Sequence, residues 1–171
     1  VAEIAGAAGV SPETVYKSFD GKAGLIKIAF DHALAGDDQE IAVADRPESR
    51  AVDAEPDPRR KIEKYVTSAA PRMQRAGRLM IAIRDGARTD ATLHALWMQV
   101  TAQHLAGMEK LAHHLEDTGS LRAEVPVDHA RDTLWTLTSP EIYELLVLNR
   151  GWSIDRYRDW IIRAIIAELS P

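Results

Sequence analysis

The chain of 171 residues contains no cysteine. This absence excludes disulfide frameworks and thiolate-bound metal sites, and it is typical of proteins that work in the reducing cytoplasm. The sequence also lacks an apolar run of the roughly 18 residues that a membrane helix needs, and no signal-peptide pattern opens it. We therefore expect a cytoplasmic protein without a membrane partner. Since the chain starts at Val1, inside a helical pattern, we also expect the natural N-terminus to lie upstream.

The sequence has no excess of positive charge, because its net charge is −5. A protein that binds nucleic acid usually presents a basic surface, so this value alone argues against such a partner. However, residues 37–58 contain eight acidic residues and two arginines, a local charge of −6. The rest of the chain is therefore close to neutral. We interpret the acidic, proline-containing stretch 36–58 as a loop or linker.

Catalytic and metal-binding motifs are also missing from the sequence. His113 and His114 are adjacent and therefore diverge on a helix, and His104 lies too far from them for a usual ligand spacing. There is no H-E-x-x-H motif, no G-x-S-x-G motif and no P-loop. We therefore predict that the protein is not an enzyme and that it holds no metal and no cofactor.

What the sequence does contain is helical periodicity along most of its length, with no alternating strand pattern. The predicted helices cover residues 1–8, 12–18, 21–35, 59–76, 79–87, 91–117, 127–149 and 154–169. Pro71 and Pro140 fall inside two of them, where a proline bends or interrupts a helix. We predict an all-α protein with a small N-terminal unit over 1–35, the linker over 36–58 and a larger helical bundle over 59–171.

Residues 8–19, AGVSPETVYKSF, predict a tight turn between two short helices. Gly9 can adopt a positive φ, which allows the chain to reverse within about three residues. We expect Val10 to turn inward after it. Ser11 is a favourable N-cap, and Pro12 at the first helical position loses no hydrogen bond.

The two helices have faces that fit each other. We expect Ile4, Ala5 and Ala8 on the first helix to face Val15 and Phe19 on the second. The outer face then carries Glu13, Thr14, Lys17 and Ser18, with Tyr16 at its edge. This is the pattern of a helix-turn-helix, whose second helix enters the major groove of DNA. An ordinary corner between two bundle helices remains the alternative on these residues alone.

The stretch IAGAAGVSPETVYKSFDGKAGLIKIAF resembles the DNA-binding region of the tetracycline-repressor-like (TetR) family of transcriptional regulators. The matching features are Ile4-Ala5, the Ala8-Gly9-Val10-Ser11 turn, Tyr16, Phe19, Lys22 and Leu25. Residues 132–161 resemble the C-terminal helices of one branch of that family. The resemblance implies a further DNA-binding helix upstream, and it implies DNA contacts by Ser11, Pro12, Glu13, Thr14, Tyr16, Lys17 and Lys22.

Individual contacts follow from side-chain chemistry. Lys17 suits guanine or a phosphate, and Thr14 suits a thymine methyl group or a phosphate. Tyr16 suits a phosphate or internal packing, and Glu13 suits cytosine or, more simply, the positive end of the helix dipole. Residues 1–35 carry three lysines and four acidic residues, a net charge of −1, which departs from the basic character usual in the family.

The C-terminal bundle offers side chains for a small-molecule cavity, namely apolar bodies with a few polar tips. The candidates are Met73, Met80, Arg84, Trp97, Met98, Thr101, His104, Met108, Trp135, Thr138 and Tyr143. Tryptophan and methionine at this spacing also fit a plain core. The last helix is apolar nearly all round, so we expect it to be buried on two sides, either by a partner or as a central helix of a monomer. The resemblance implies an isologous dimer through the last two long helices. The predicted dimer residues are Tyr157, Trp160, Ile161, Ala164 and Ile165.

The resemblance thus implies a ligand-responsive repressor that binds a pseudo-palindromic DNA operator as a homodimer and is released by a small-molecule effector. The alternative is a ligand-binding helical dimer whose DNA-binding unit is vestigial.

Overall fold

The computed structural model describes residues 1–19, 21–37 and 45–171. Within these ranges all regular structure is helical, which confirms the predicted all-α class. The helices are α1 (Ala2–Ala7), α2 (Pro12–Phe19), α3 (Gly21–Ala35), α4 (Pro47–Asp53), α5 (Pro58–Gly86), α6 (Ala91–Asp117), α7 (Val127–Leu137), α8 (Pro140–Tyr143), the π-helical segment Glu144–Asn149, and α9 (Ile154–Leu169).

The predicted linker 36–58 differs from the structure, because residues 47–53 form helix α4. Pro47 occupies the first turn of this helix, where it loses no hydrogen bond. Val52 is buried and α4 packs against α5, so burial of one apolar side chain holds the helix in place despite its acidic surroundings. Residues 38–44 of the predicted linker lie outside the described residues.

Helix α5 is a single helix of 29 residues where the sequence predicted two. Asp57 caps its start by accepting a hydrogen bond of 2.8 Å from the backbone N–H of Arg60. Pro71 lies inside the helix on the exposed side. The ring removes one backbone hydrogen bond there, but the buried face of α5 packs on both sides of it and keeps the helix continuous.

The predicted helix 127–149 is interrupted, which corrects the prediction of a kink within a continuous helix. Helix α7 ends at Leu137, and Ser139 has an extended backbone with φ −73° and ψ 155°. A residue before proline favours this conformation, so Pro140 starts the short helix α8. Pro71 and Pro140 thus have opposite effects on their helices.

Two clusters of buried apolar side chains hold the helices together. The bundle core joins α5, α6, α7, α8 and α9 and consists of Ile62, Val66, Ala70, Met108, Leu111, Ala112, Leu115, Ala130, Leu134, Tyr143, Tyr157, Ile161, Ile165 and Leu169. The second core joins α3 to α5 and α6 and consists of Phe30, Ala76, Met80, Ile83 and Leu93. Helix α3 is therefore attached to the bundle along one side and to α2 along another.

Candidate functional site

The turn between α1 and α2 has the geometry that the sequence predicted at Gly9, whose φ is +68°. The backbone N–H of Val10 donates to the carbonyl of Ala5 over 3.0 Å, which closes the end of α1. Ser11 caps α2, because its Oγ accepts a hydrogen bond of 3.1 Å from the backbone N–H of Thr14. The prediction that Val10 turns inward is wrong, because the side chain is 42% exposed.

The contact between α1 and α2 is smaller than predicted. Ala5 and Val15 are buried and Phe19 is half-buried, but Ile4 and Ala8 are exposed. Helix α1 has only six residues, so it brings little more than one side chain against its neighbour. The outer face of α2 is as predicted in its exposure: Ser11, Pro12, Glu13, Thr14, Tyr16, Lys17 and Ser18 are all exposed.

The charged groups of this face are already paired. Lys17 Nζ lies 3.1 Å from a carboxylate oxygen of Glu13 one turn earlier, and both side chains are largely exposed. Lys22, at the start of α3, reaches the bundle instead: its Nζ lies 3.1 Å from Asp90 Oδ2. Asp90 also caps α6 by accepting from the backbone N–H groups of Thr92 and Leu93, and these bonds together with Lys22 lower its pKa.

The far end of α3 is attached to α5 by one arginine. Arg75 Nε donates to the carbonyl of Ala33 and Nη2 donates to the carbonyl of Leu34, both over 3.1 Å. These carbonyls are among those that a helix end leaves without an internal partner. Gly36 follows with a φ of +82°, and a Cβ there would come within 2.8 Å of the Arg75 guanidinium. Helix α3 is therefore fixed to the bundle at both ends.

A cavity of about 1220 Å³ lies between α3 and the bundle. Its walls come from α3, α4, α5 and α6, and Thr138 after α7 closes one side. Five of the side chains predicted for a ligand site line it: Met73, Met80, His104, Met108 and Thr138. The structure thus brings residues of four elements around one space, and the helix that follows the helix-turn-helix forms part of its wall.

The other six side chains predicted for the ligand site lie elsewhere. Arg84 forms ion pairs with Asp85, Glu141 and Glu144. Tyr143 packs edge-on against Tyr157 and lies against Gly77, so it belongs to the bundle core. Met98 is 54% exposed, and the Thr101 hydroxyl donates to backbone carbonyls of its own helix. Trp97 packs against the second core and Trp135 against the bundle core.

Sequence reasoning missed the polar part of the cavity wall. Lys61, Tyr65, Ser68 and Arg72 lie on α5 at intervals of three and four residues and all line the cavity. That spacing was readable in the sequence, but a stripe of lysine, tyrosine and arginine is also typical of a solvated helix face. Lys61 is buried, and burial lowers its pKa. His114, on α6, has a buried Nε2 without a hydrogen-bond partner among the described residues.

His104 is a neutral polar group of the cavity. Its Nε2 lies 2.9 Å from Thr138 Oγ1, which itself lies 2.7 Å from the Leu134 carbonyl oxygen. The carbonyl can only accept, so the single hydroxyl proton goes there and His104 Nε2 donates to Thr138. Burial lowers the pKa of His104 to about 4. The ring is therefore uncharged at neutral pH, and its Nδ1 is a hydrogen-bond acceptor.

The residues predicted for a dimer interface separate into two groups. Tyr157, Ile161 and Ile165 are buried in the bundle core of their own chain, so they offer no surface to a second chain. Trp160 and Ala164 are half-buried on another side of α9. Leu145 in the π-helical segment is 55% exposed. The accessible apolar surface near the C-terminus therefore includes Trp160 and Ala164, which the sequence predicted, and Leu145, which it did not.

Within residues 1–19, 21–37 and 45–171, no helix combines the length and the apolar character that crossing a bilayer requires. In the same ranges, no three histidine, cysteine, aspartate or glutamate side chains stand close enough to hold a metal ion together.

No family model matches the sequence, and no curated protein matches it. A solved structure from Rhodococcus sp., described as a TetR-family transcriptional regulator, is similar to this chain with a TM-score of 0.71. The two sequences are 18% identical, and the match covers 99% of this chain and 86% of the other. The fold that the sequence motifs implied is therefore confirmed.

Proposed function

We propose that this protein is a DNA-binding transcriptional regulator of the TetR type, and that it acts as a homodimer released from its operator by a small molecule. One observation carries the proposal. Helix α2 follows a tight glycine turn, begins with a capped and exposed first turn, and presents a continuous polar face to solvent. This is the form of a recognition helix, whose N-terminal residues contact base edges in the major groove. The likeness in fold to a protein described as such a regulator supports the same reading.

The DNA contacts we propose are those of the exposed face of α2. Thr14 and Lys17 would contact bases or phosphates, and Ser11 and Pro12 would lie near the phosphate backbone at the helix start. Tyr16 is 55% exposed, which favours a phosphate contact over packing. Glu13 would interact favourably with the positive end of the helix dipole and would hold Lys17 in place through their ion pair. Lys22 would contact DNA only after leaving Asp90.

We propose that dimerisation uses the C-terminal helices. Trp160 and Ala164 are half-buried on α9 and so partly accessible, and Leu145 is exposed in the segment that precedes it. An isologous pairing of these surfaces would bury apolar area and set two copies of α2 around a two-fold axis. Such a dimer fits a pseudo-palindromic operator. We propose that it acts in the cytoplasm.

The effector would act through α3. Phe30 and Leu34 of this helix form part of the cavity wall, and α3 follows the recognition helix directly. A ligand that fills the cavity would favour a different position of α3, and so a different spacing of the two recognition helices. The coupling requires that the ligand bind one position more tightly than the other.

The experiment is a titration of the full-length protein into fluorescent DNA from upstream of its own gene, with scrambled DNA of equal composition as reference. We expect a preference on the order of 10³ and a marked loss of affinity between low and physiological salt. Lys17→Ala should weaken binding by about tenfold if it contacts a base or phosphate. Lys64→Ala, which removes an exposed lysine of α5 far from α2 in the sequence, is the matched control and should leave the affinity for DNA unchanged.

A second candidate is the ligand-binding dimer with a vestigial DNA unit. The observation that favours it is electrostatic, since Lys17 and Lys22 both have carboxylate partners within the protein. If neither DNA binds at low salt, the regulator proposal fails and this second function takes its place.

A further inference from the structure

Arg72 lies in the wall of the cavity, and one nitrogen of its guanidinium has no hydrogen-bond partner among the described residues. Its Nη1 is buried, and it donates no hydrogen bond to any of the residues that the structure describes. Burial lowers the pKa of this arginine, but a guanidinium keeps its charge in proteins. An unsatisfied buried donor is unfavourable, and an unsatisfied buried charge is more so. The position therefore favours an anion that would complete it.

The acidic groups of the wall do not supply that anion. Each already has a basic partner: Lys27 for Asp31, Arg46 for Asp37 and Lys110 for Asp53. Glu48 raises the pKa of Arg72, so its charge acts at a distance, but the two form no ion pair. Lys61, also in the wall, donates to a backbone carbonyl, that of Asp53, over 3.0 Å. The uncompensated charge on the described wall is therefore positive.

The cavity wall also carries six large apolar side chains. Phe30, Leu34, Met73, Met80, Val100 and Met108 all line the same space. Met80 lies two turns beyond Arg72 on α5, a distance of about 12 Å along the helix. The cavity volume of about 1220 Å³ exceeds the roughly 300–1,000 Å³ typical of drug-sized sites. An extended molecule with one charged end matches this arrangement.

We infer that the effector is an amphipathic organic acid, whose carboxylate pairs with Arg72 and whose apolar body lies along α5 toward Met80 and Phe30. The ligand is called an effector because of the proposed function. That the cavity binds an organic acid does not depend on that function. A planar guanidinium can hold a carboxylate through two parallel hydrogen bonds, which gives the ligand a fixed orientation. His104 and Tyr65 also line the cavity and offer neutral polar groups to the ligand.

The test uses a neutral fluorescent probe, N-phenyl-1-naphthylamine, displaced from the full chain by decanoate or by decanol. These two competitors share an apolar chain and differ in the head group. We expect decanoate to displace the probe at an at least tenfold lower concentration, the weaker limit for a charge-assisted hydrogen bond. Arg72→Met should bring the two competitors within about threefold of each other, while Arg72→Lys, which keeps a charge without the planar fork, should give an intermediate ratio.

Arg78→Met is the matched control, since Arg78 is an exposed arginine of the same helix outside the cavity wall. It should keep the wild-type ratio. Loss of folding is not expected in Arg72→Met, because methionine replaces an unsatisfied buried charge with an apolar chain. Thermal unfolding should confirm this with a midpoint at or above that of the wild type.

The outcomes separate the inference from the proposed function. Equal displacement by decanoate and decanol in the wild type, with the probe bound, overturns the organic-acid inference and leaves an effector cavity for neutral ligands. Absence of probe binding overturns the inference and the effector part of the proposal together. DNA binding is measured independently in each case, so failure of the regulator proposal would be seen as loss of operator preference, whatever the cavity binds.

Discussion

Helices α1 and α2 bury two apolar side chains, Ala5 and Val15, whereas the bundle core contains fourteen. The N-terminal pair is held by the Gly9 turn, the Ser11 cap and its contact with α3. The bundle is held by close packing of α5, α6, α7 and α9, which have 11 to 29 residues each. The difference implies that α2 can move or open at little cost while the bundle stays folded. Helix α3 belongs to both regions and decides how strongly they are coupled.

The largest expected effect on stability comes from removing buried side-chain atoms from the bundle core. Ile161→Ala should lower the free energy of unfolding by about 2–5 kcal/mol, because Ile161 is fully buried in the bundle core and the cavity left behind cannot collapse fully. Val15→Ala should leave the main unfolding transition nearly unchanged and lower hydrogen-exchange protection only in α1 and α2. Urea unfolding followed by helical circular dichroism measures the first, and amide exchange measures the second. If both variants shift the same transition equally, the two regions unfold as one unit.

The next effect concerns pH and acts on the bundle side of the cavity. Burial lowers the pKa of His104 to about 4, against an ordinary value of 6.5. The unfolded chain therefore takes up a proton below pH 6.5 that the folded chain refuses until about pH 4. Stability contributed by the neutral ring is complete above pH 6.5 and is lost as the pH falls toward 4, by at most about 3 kcal/mol.

His104→Gln tests this, because glutamine can still donate to Thr138 but does not titrate. The free energy of unfolding of the variant should fall less steeply than that of the wild type between pH 6.5 and 4. His114, whose pKa burial also lowers, contributes to both proteins and cancels in the comparison. Parallel profiles would show that His104 is accessible to water and carries its ordinary charge in the folded protein.

The sequence predicted the ends of some helices well and the effect of the two internal prolines poorly. Helices α3, α6 and α9 have the predicted bounds, because glycine, aspartate and serine at their ends act locally. Pro71 and Pro140 could not be distinguished in advance, since one lies on the exposed side of a packed helix and the other after an extended serine. Tertiary packing decided between them.

The candidate site was predicted in outline. The exposed face of α2 followed from a short, local pattern, whereas five of eleven proposed cavity residues line the cavity. The other wall of the cavity comes from α3, from α4 and from the polar stripe that includes Arg72. From helical periodicity alone, a stripe of polar and charged side chains is predicted to face solvent. Only the position of α3 across the bundle turns it into a wall, and no local signal encodes that position.

A smaller effect is expected where α3 joins α5. Arg75→Met removes two hydrogen bonds to the carbonyls of Ala33 and Leu34, each worth about 0.5–1.5 kcal/mol. Because water can replace part of this loss, the change should appear mainly as faster amide exchange in the last turn of α3. Arg78→Met controls for loss of an arginine from α5. Unchanged exchange in α3 would mean that the second core alone holds the helix.

The smallest effect should come from the ion pair between Lys22 and Asp90, which ties the start of α3 to the start of α6. Both side chains are accessible to solvent, and a pair of this kind contributes little to stability. Asp90→Asn keeps a good N-cap for α6 while removing the charge, and Lys22→Met removes the other partner. A double-mutant cycle at low salt should give a small favourable coupling that vanishes in roughly 1 M salt, where charges further apart than about 3 Å are screened. The same two variants can also be compared by their affinity for DNA.

If Lys22 must leave Asp90 to reach a phosphate, Asp90→Asn should strengthen operator binding while Lys22→Met weakens it. Equal weakening by both variants would instead mean that the pair holds α3, and with it the recognition helix, in its DNA-binding position.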